Sequence, residues 1–211
     1  LGLIIISSRF ERLAAAKQKR ILDAALKEFA QNGFEKASTN KIVENAGISK
    51  GSLFNYFHSK KNLYIYLLDY SAGIVAGLFR KIDLDERDVF KRMGDIGLQK
   101  LKMQRKFPNV FDFLAAAKLE ESPKPKAAVD KKVNSIYDSG LRKLYDNIDY
   151  SLFRDDLDTA KALEILNWAL FGFGEKYIKQ QDIFQDTGTF GETILREWET
   201  YAGILKKAFY K

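Results

Sequence analysis

The chain has 211 residues, enough for one large domain or two small ones, and its 46 % hydrophobic and 30 % charged residues are ordinary globular composition. It has no cysteine and a single histidine, His58, which excludes a disulfide framework, a thiolate metal site and a multi-histidine metal site. Of the net charge of +7, a share of +6 lies in residues 1–62, where eleven Lys and Arg stand against five acids. Such a local basic excess favours a polyanionic partner.

Only three prolines interrupt the sequence and long periodic segments dominate, so the predicted class is all-α, with about nine helices. No apolar run approaches the roughly 20 residues of a membrane span, and no membrane association is expected. The opening LGLIII is short and lacks a basic leader, which makes it a poor signal peptide. Residues 1–10 are expected to form an arm outside the fold, disordered or foreign to the native chain. With no cysteine and no leader, the expected location is cytoplasmic.

In chain order, the first helix is predicted over Glu11–Asn32, where Ile21, Ala25 and Phe29 recur every four residues and Gly33 follows as a stop. Ser38 or Thr39 caps a second helix carrying Ile42, Val43 and Ala46, which Gly47 ends. Ser49 caps a third over Lys50–Phe57, and Ser59 a fourth over Lys60–Lys81. Longer segments follow at about Arg87–Lys106, Pro108–Glu120, Ala127–Asn147, Asp155–Gln181 and Gly188–Ala208, with ESPKPK as the clearest break. The resulting organisation is a helix-turn-helix domain over 11–62 and a larger helical domain over 63–211, with the fourth helix bridging the boundary.

The third helix raises a question of composition. At about 100° per residue, Leu53 and Phe57 share one side and face the core. The other side presents Gly51, Ser52 and Asn55, with Lys50 at the start and Phe54 and Tyr56 on the flanks. Gly51 costs about 1 kcal/mol of helix propensity against Ala, a loss that makes sense where a side chain would collide with DNA. Lys50 can donate to guanine, Asn55 can pair with adenine, and Ser52 can donate to a base or phosphate. The Tyr56 hydroxyl suits a phosphate, and Lys60 adds charge at the start of the next helix. Ser38 and Thr39 are placed similarly. Gly51 as a packing glycine, and Lys60 and Lys61 as solvated residues, is the competing structural reading.

The stretch Lys17–Asp69 closely resembles the N-terminal domain of TetR/AcrR-type transcriptional regulators. The resemblance rests on ILDAALKEFAQNGF, on ST before IVENAGIS, and on KGSLFNYF followed by SKKNL. It covers about a quarter of the chain. It implies a three-helix DNA-binding head on a helical ligand-binding body, and a two-fold dimer that reads a palindromic operator, usually as a repressor. By position, the DNA contacts it implies are Ser38, Thr39, Lys50, Gly51, Ser52, Phe54, Asn55, Tyr56 and Lys60. The position of Phe54 is commonly Tyr in such proteins; Phe cannot bond a phosphate and is assigned an apolar contact.

In the remaining helices, a homodimer interface is expected on the last two, through Leu163, Leu166, Leu170, Ile194, Leu195, Trp198, Tyr201 and Leu205. A pocket for a small hydrophobic or aromatic effector is expected from Phe107, Phe111, Leu114, Tyr137, Leu141, Trp168 and Phe171. Glu120, Glu164 or Glu175 would attract a cationic ligand if facing inward. No cofactor or metal is expected, and no catalytic residue. Three readings follow: a ligand-responsive dimeric DNA-binding repressor; a DNA-binding regulator without a small-molecule effector, controlled by a protein partner; and a helical enzyme, for which no spacing of titratable groups speaks.

Overall fold

The computed structural model describes residues 8–178 and 187–211, apart from the side chains of 133, 136–139, 141, 175, 177, 178 and 187–192. Among the described residues there are ten α-helices, one 3-10 turn at Tyr150–Leu152 and no strand. The helices are α1 Ser8–Glu11, α2 Ala15–Lys36, α3 Thr39–Ala46, α4 Lys50–Phe57 and α5 Lys60–Phe79. They continue as α6 Val89–Lys106, α7 Pro108–Lys118, α8 Pro123–Tyr145, α9 Thr159–Ile178 and α10 Thr187–Phe209.

Two boundaries differ from the sequence reading for identifiable reasons. The ESPKPK break ends at Ser122, because Pro123 and Pro125 sit in the first turn of α8, where a missing N–H leaves no helical bond unmade. The first predicted helix is split into α1 and α2. Ala14 caps α2 without a side-chain bond, and Gln18 Nε2 instead donates to the carbonyls of Glu11 and Leu13, tying the two helices together.

The chain forms two compact units, neither of which is continuous in sequence. The first joins residues 1–76 to 107–139. Its core combines Ile21, Ala25, Leu26 and Phe29 of α2 with Ile42 of α3, Leu53 and Phe57 of α4 and Leu63, Tyr64, Leu67 and Leu68 of α5. Val110, Phe113 and Ala117 of α7 complete it. The boundary expected near residue 62 falls inside α5, and α7 packs with the head.

Of the arm expected over residues 1–10, residues 1–7 lie outside the described residues, and Phe10 packs within the fold. It is 1 % exposed, with its ring 4.8 Å from Phe57, 5.7 Å from Tyr66 and 5.9 Å from Tyr56. Among the described residues one helix, α5, is long and apolar enough to cross a bilayer by length and composition. Its Leu63, Tyr64, Leu67 and Leu68 are however buried in the first core, which accounts for the apolar composition.

The second unit joins 77–106 to 140–211. Val89, Phe90, Met93 and Ile96 of α6 pack with Ala162 and Leu166 of α9 and Trp198, Ala202 and Phe209 of α10. Gly94 and Gly97 are packing glycines: a Cβ would stand 2.6 Å from Trp198 and 3.3 Å from Leu170 respectively. Arg92 is fully buried, with no carboxylate partner among the described residues. Its guanidinium donates to the carbonyls of Leu84, Glu86, Leu144 and Asp146, joining the loop before α6 to the end of α8.

Candidate nucleic-acid interface

The helix-turn-helix is built by three capping events. Ser38 caps α3, its Oγ accepting from Lys41 N at 3.4 Å. Gly47 ends α3 in the left-handed region at φ 63°, a conformation open to glycine without strain, and its N–H donates to Glu44 O. Ser49 caps α4 by accepting from Ser52 N at 3.1 Å. Beyond α4, His58 stands exposed at φ 60° and Ser59 Oγ accepts from Asn62 N, starting α5.

Leu53 and Phe57 are buried in the first core, as the helical phase requires. Lys50, Gly51 and Asn55 are exposed together on the opposite side, with Ser52 and Phe54 half-buried beside them. The competing reading of Gly51 fails on geometry. A Cβ there would meet only Ser49 Oγ, at 3.9 Å, an ordinary contact, and the residue does not have a positive φ. Neither packing nor backbone conformation asks for glycine at this position.

Two expected contact residues are engaged within the chain. Tyr56 is only 8 % exposed, its ring tilted against Phe10, so it packs more deeply than a flank position suggests. Lys60 Nζ donates to Glu35 O at 2.9 Å and lies 5.2 Å from the centre of the Phe34 ring. Burial there lowers its pKa below the ordinary lysine value, with the nearby Glu35 opposing. Ser38 and Thr39 are half-buried at the start of α3. The sequence reading missed Phe10 and Glu28, and named Glu120 only for a cationic ligand and not for its bond from Phe34 N; of these roles only that of Glu28 left a sequence signal, as an acid on the apolar face of α2 beside Ala24 and Ala25.

A family model described as bacterial regulatory proteins, tetR family, matches residues 21–67, which hold α3, α4 and most of α2. Residues 21–67 thus carry the N-terminal domain of the tetR family. The HTH-type transcriptional regulator RutR of Escherichia coli K12 is 43 % identical over 67 residues, 32 % of this chain and 32 % of that regulator. An HTH-type transcriptional repressor of Mycobacterium tuberculosis is 30 % identical over 114 residues, 52 % of this chain and 54 % of its own. The chain thus spans about a third to a half of the length of these relatives. A TetR-family regulator from Chloroflexus aurantiacus shares the fold across 98 % of this chain and 99 % of its own, with a TM-score of 0.70 at 23 % identity.

The expected pocket residues fall in both units of the chain. Phe107, Phe111 and Leu114 are half-buried against the first core. Trp168 and Phe171 belong to the second unit and are 67 % and 48 % exposed. Tyr137 and Leu141 lie outside the described side chains. Of the three acids considered for a cationic ligand, Glu120 accepts bonds from Phe34 and Ser122, Glu164 pairs with Lys161, and the Glu175 side chain is outside the described set.

Most of the expected interface residues pack within the chain itself. Leu166, Ile194 and Trp198 are buried in the chain's own cores, and Leu163, Leu170 and Leu205 pack beside the second of them. Leu195 is half-buried, and only Tyr201 of the set is exposed. The large apolar side chains that α9 and α10 leave exposed, among the described residues, are Ile165, Trp168, Phe171, Tyr201 and Ile204. Both helices are apolar on two sides, and the heptad-like leucines marked the inner one.

Proposed function

We propose that this chain is a TetR-family, sequence-specific DNA-binding transcriptional repressor that acts as a homodimer on a palindromic operator. The observation that carries the proposal is the exposed side of α4. It is a short capped helix in a basic head that starts with a lysine and a glycine that the fold does not need, and exposes an asparagine beside them. In the major groove, Gly51 admits the backbone close to the bases, Lys50 donates to a guanine and Asn55 pairs with an adenine. Ser52 and Phe54 flank these contacts, Phe54 against a thymine methyl. Ser38 and Thr39 offer hydroxyls and helix-start N–H groups to phosphate. Tyr56 and Lys60 serve from packed positions at the edge of this surface.

Two such heads must reach successive groove faces, about 34 Å or a multiple of it apart, which calls for a dimer. The face of Ile165, Trp168, Phe171, Tyr201 and Ile204 is the apolar surface that supports this part of the proposal. Release by a small hydrophobic ligand follows as a population shift. The half-buried Phe111 and Leu114 lie on α7, with Phe107 at its N-cap, and Val110, Phe113 and Ala117 of α7 pack in the head core, so a ligand displacing α7 would displace the head. Selection of bound duplexes from a random-sequence pool tests the DNA reading. Recovery of a palindromic consensus supports it, and recovery of no motif by folded protein defeats it.

A further inference from the structure

The turn between α2 and α3 is held by two carboxylates. From within α2, the buried Glu28 accepts a hydrogen bond from Ser38 N through Oε1 at 2.8 Å. From the α7–α8 loop, Glu120 accepts one from Phe34 N through Oε2 at 2.6 Å, while its Oε1 accepts from Ser122 N at 2.8 Å and from the Ser122 hydroxyl. The Phe34 bond falls where α2 breaks: Gly33 has φ 63° and ψ −176°, and a Cβ there would stand 3.3 Å from the same Oε2. Two lysines attach nearby. Lys60 donates to Glu35 O, and Lys124, in the first turn of α8, lies 3.9 Å from the Glu35 carboxylate.

Residues 33–38 are therefore tied on several sides, and they lead directly into α3, whose start carries Ser38 and Thr39. Burial alone would raise the Glu120 pKa, but the hydrogen bonds from Ser122 and from Phe34 N outweigh it and hold it below the ordinary glutamate value. The acceptor is thus ionised across the neutral range, and a bond to a charged acceptor is among the stronger kind.

We infer that Glu120 is a positioning residue for DNA binding. By holding Phe34 N it fixes the angle at which α3, and α4 after it, leave α2. The inference rests on the DNA-binding reading of the head. Glu120 itself is not part of the hydrophobic core that α2, α3 and α4 share, so its loss leaves that core's packing in place.

The test uses the full chain with Glu120→Ala and Glu120→Gln, and the palindromic duplex that the unmodified chain selects from a random pool. Gln keeps an acceptor oxygen for Phe34 N and Ala does not. Both variants should remain folded at the assay temperature by circular dichroism. Glu120→Ala should bind the duplex about tenfold or more weakly, the loss expected from removing a charged hydrogen bond. The salt dependence should not change, since no phosphate contact is removed. Glu120→Gln should recover most of the affinity. The Phe34 amide should be protected from exchange in the unmodified chain and in Glu120→Gln, and should exchange rapidly in Glu120→Ala. A folded Glu120→Ala with unchanged affinity overturns the inference. If the unmodified chain selects no duplex, the DNA reading fails separately, and rapid Phe34 exchange in that same chain would overturn the Glu120 contact as well.

Discussion

Replacing Phe10 by Ala separates a structural N-terminus from a loose arm. The Phe10 ring is 1 % exposed and meets three aromatic rings, those of Tyr56, Phe57 and Tyr66, with centroids 4.8 to 5.9 Å away. Truncating a buried Phe to Ala costs about 3–5 kcal/mol, transfer and cavity together. The three ring pairs, each worth about 0.5–1.5 kcal/mol beyond area, place this site away from the lower end. A loss of about 4 kcal/mol is a large part of the stability of a domain, which is about 5–15 kcal/mol. At a urea slope of about 2 kcal/mol per molar, the midpoint should fall by about 2 M. Both tryptophans, Trp168 and Trp198, lie in the second unit, so far-UV circular dichroism must be followed beside tryptophan fluorescence to observe the head. The ring also supports Tyr56 and Phe57 at the end of α4, so amides there should lose exchange protection. A loss under about 1 kcal/mol, the size expected of a surface substitution, would refute the reasoning and return residues 8–11 to an arm.

Lys50→Ala should cost about 1–3 kcal/mol against the preferred operator and relax the preference at one base pair, read by repeating the duplex selection; an unchanged consensus would remove Lys50 from base readout. Ile204→Asp places a charge in the open face of α9 and α10 and should yield monomer by sedimentation with helical content intact; a persisting dimer would place the interface elsewhere. Asp88 is bonded by Lys206 Nζ at 2.5 Å and by Phe90 N at 2.9 Å, and although burial pushes its pKa up, these partners bring it below the ordinary aspartate value. A depressed carboxylate contributes stability that is present above its unfolded pKa, about 3.9, and lost as pH falls through the lower folded value. The stability advantage of the unmodified chain over Asp88→Asn should thus be constant near neutrality and shrink below about pH 4; a difference independent of pH would contradict the pairing.

The helices were legible because period and caps coincide. Ser38, Ser49 and Gly47 stand at the ends of α3 and α4 where capping chemistry places them, and Leu53 and Phe57 face inward as one helical turn requires. What the sequence could not carry was the choice between two apolar sides of one helix. On α9, Leu166 and Trp168 are both apolar, yet the first is buried in the chain's own core and the second is open. Burial depends on which neighbour each side meets, and that is settled by long-range packing. The same limit hid Phe10, which reads as part of an N-terminal arm until α4 and α5 are present to receive it. It hid Glu120 as well, whose partner Phe34 N lies 86 residues away. Gly51 shows the reverse case. Its composition raised the question, and the open space beside its Cα supports the answer that the fold does not require a glycine there.

The most direct test of the central claim is selection of duplex DNA from a random-sequence pool by the full chain, at near-physiological salt, followed by sequencing. The account predicts a palindromic consensus whose half-sites are separated by about one helical turn or a multiple of it, and whose strongest position is lost with Lys50→Ala. Retention of DNA without any consensus, abolished by moderate salt, would mean that the basic head attracts phosphate without reading sequence, and would contradict the account.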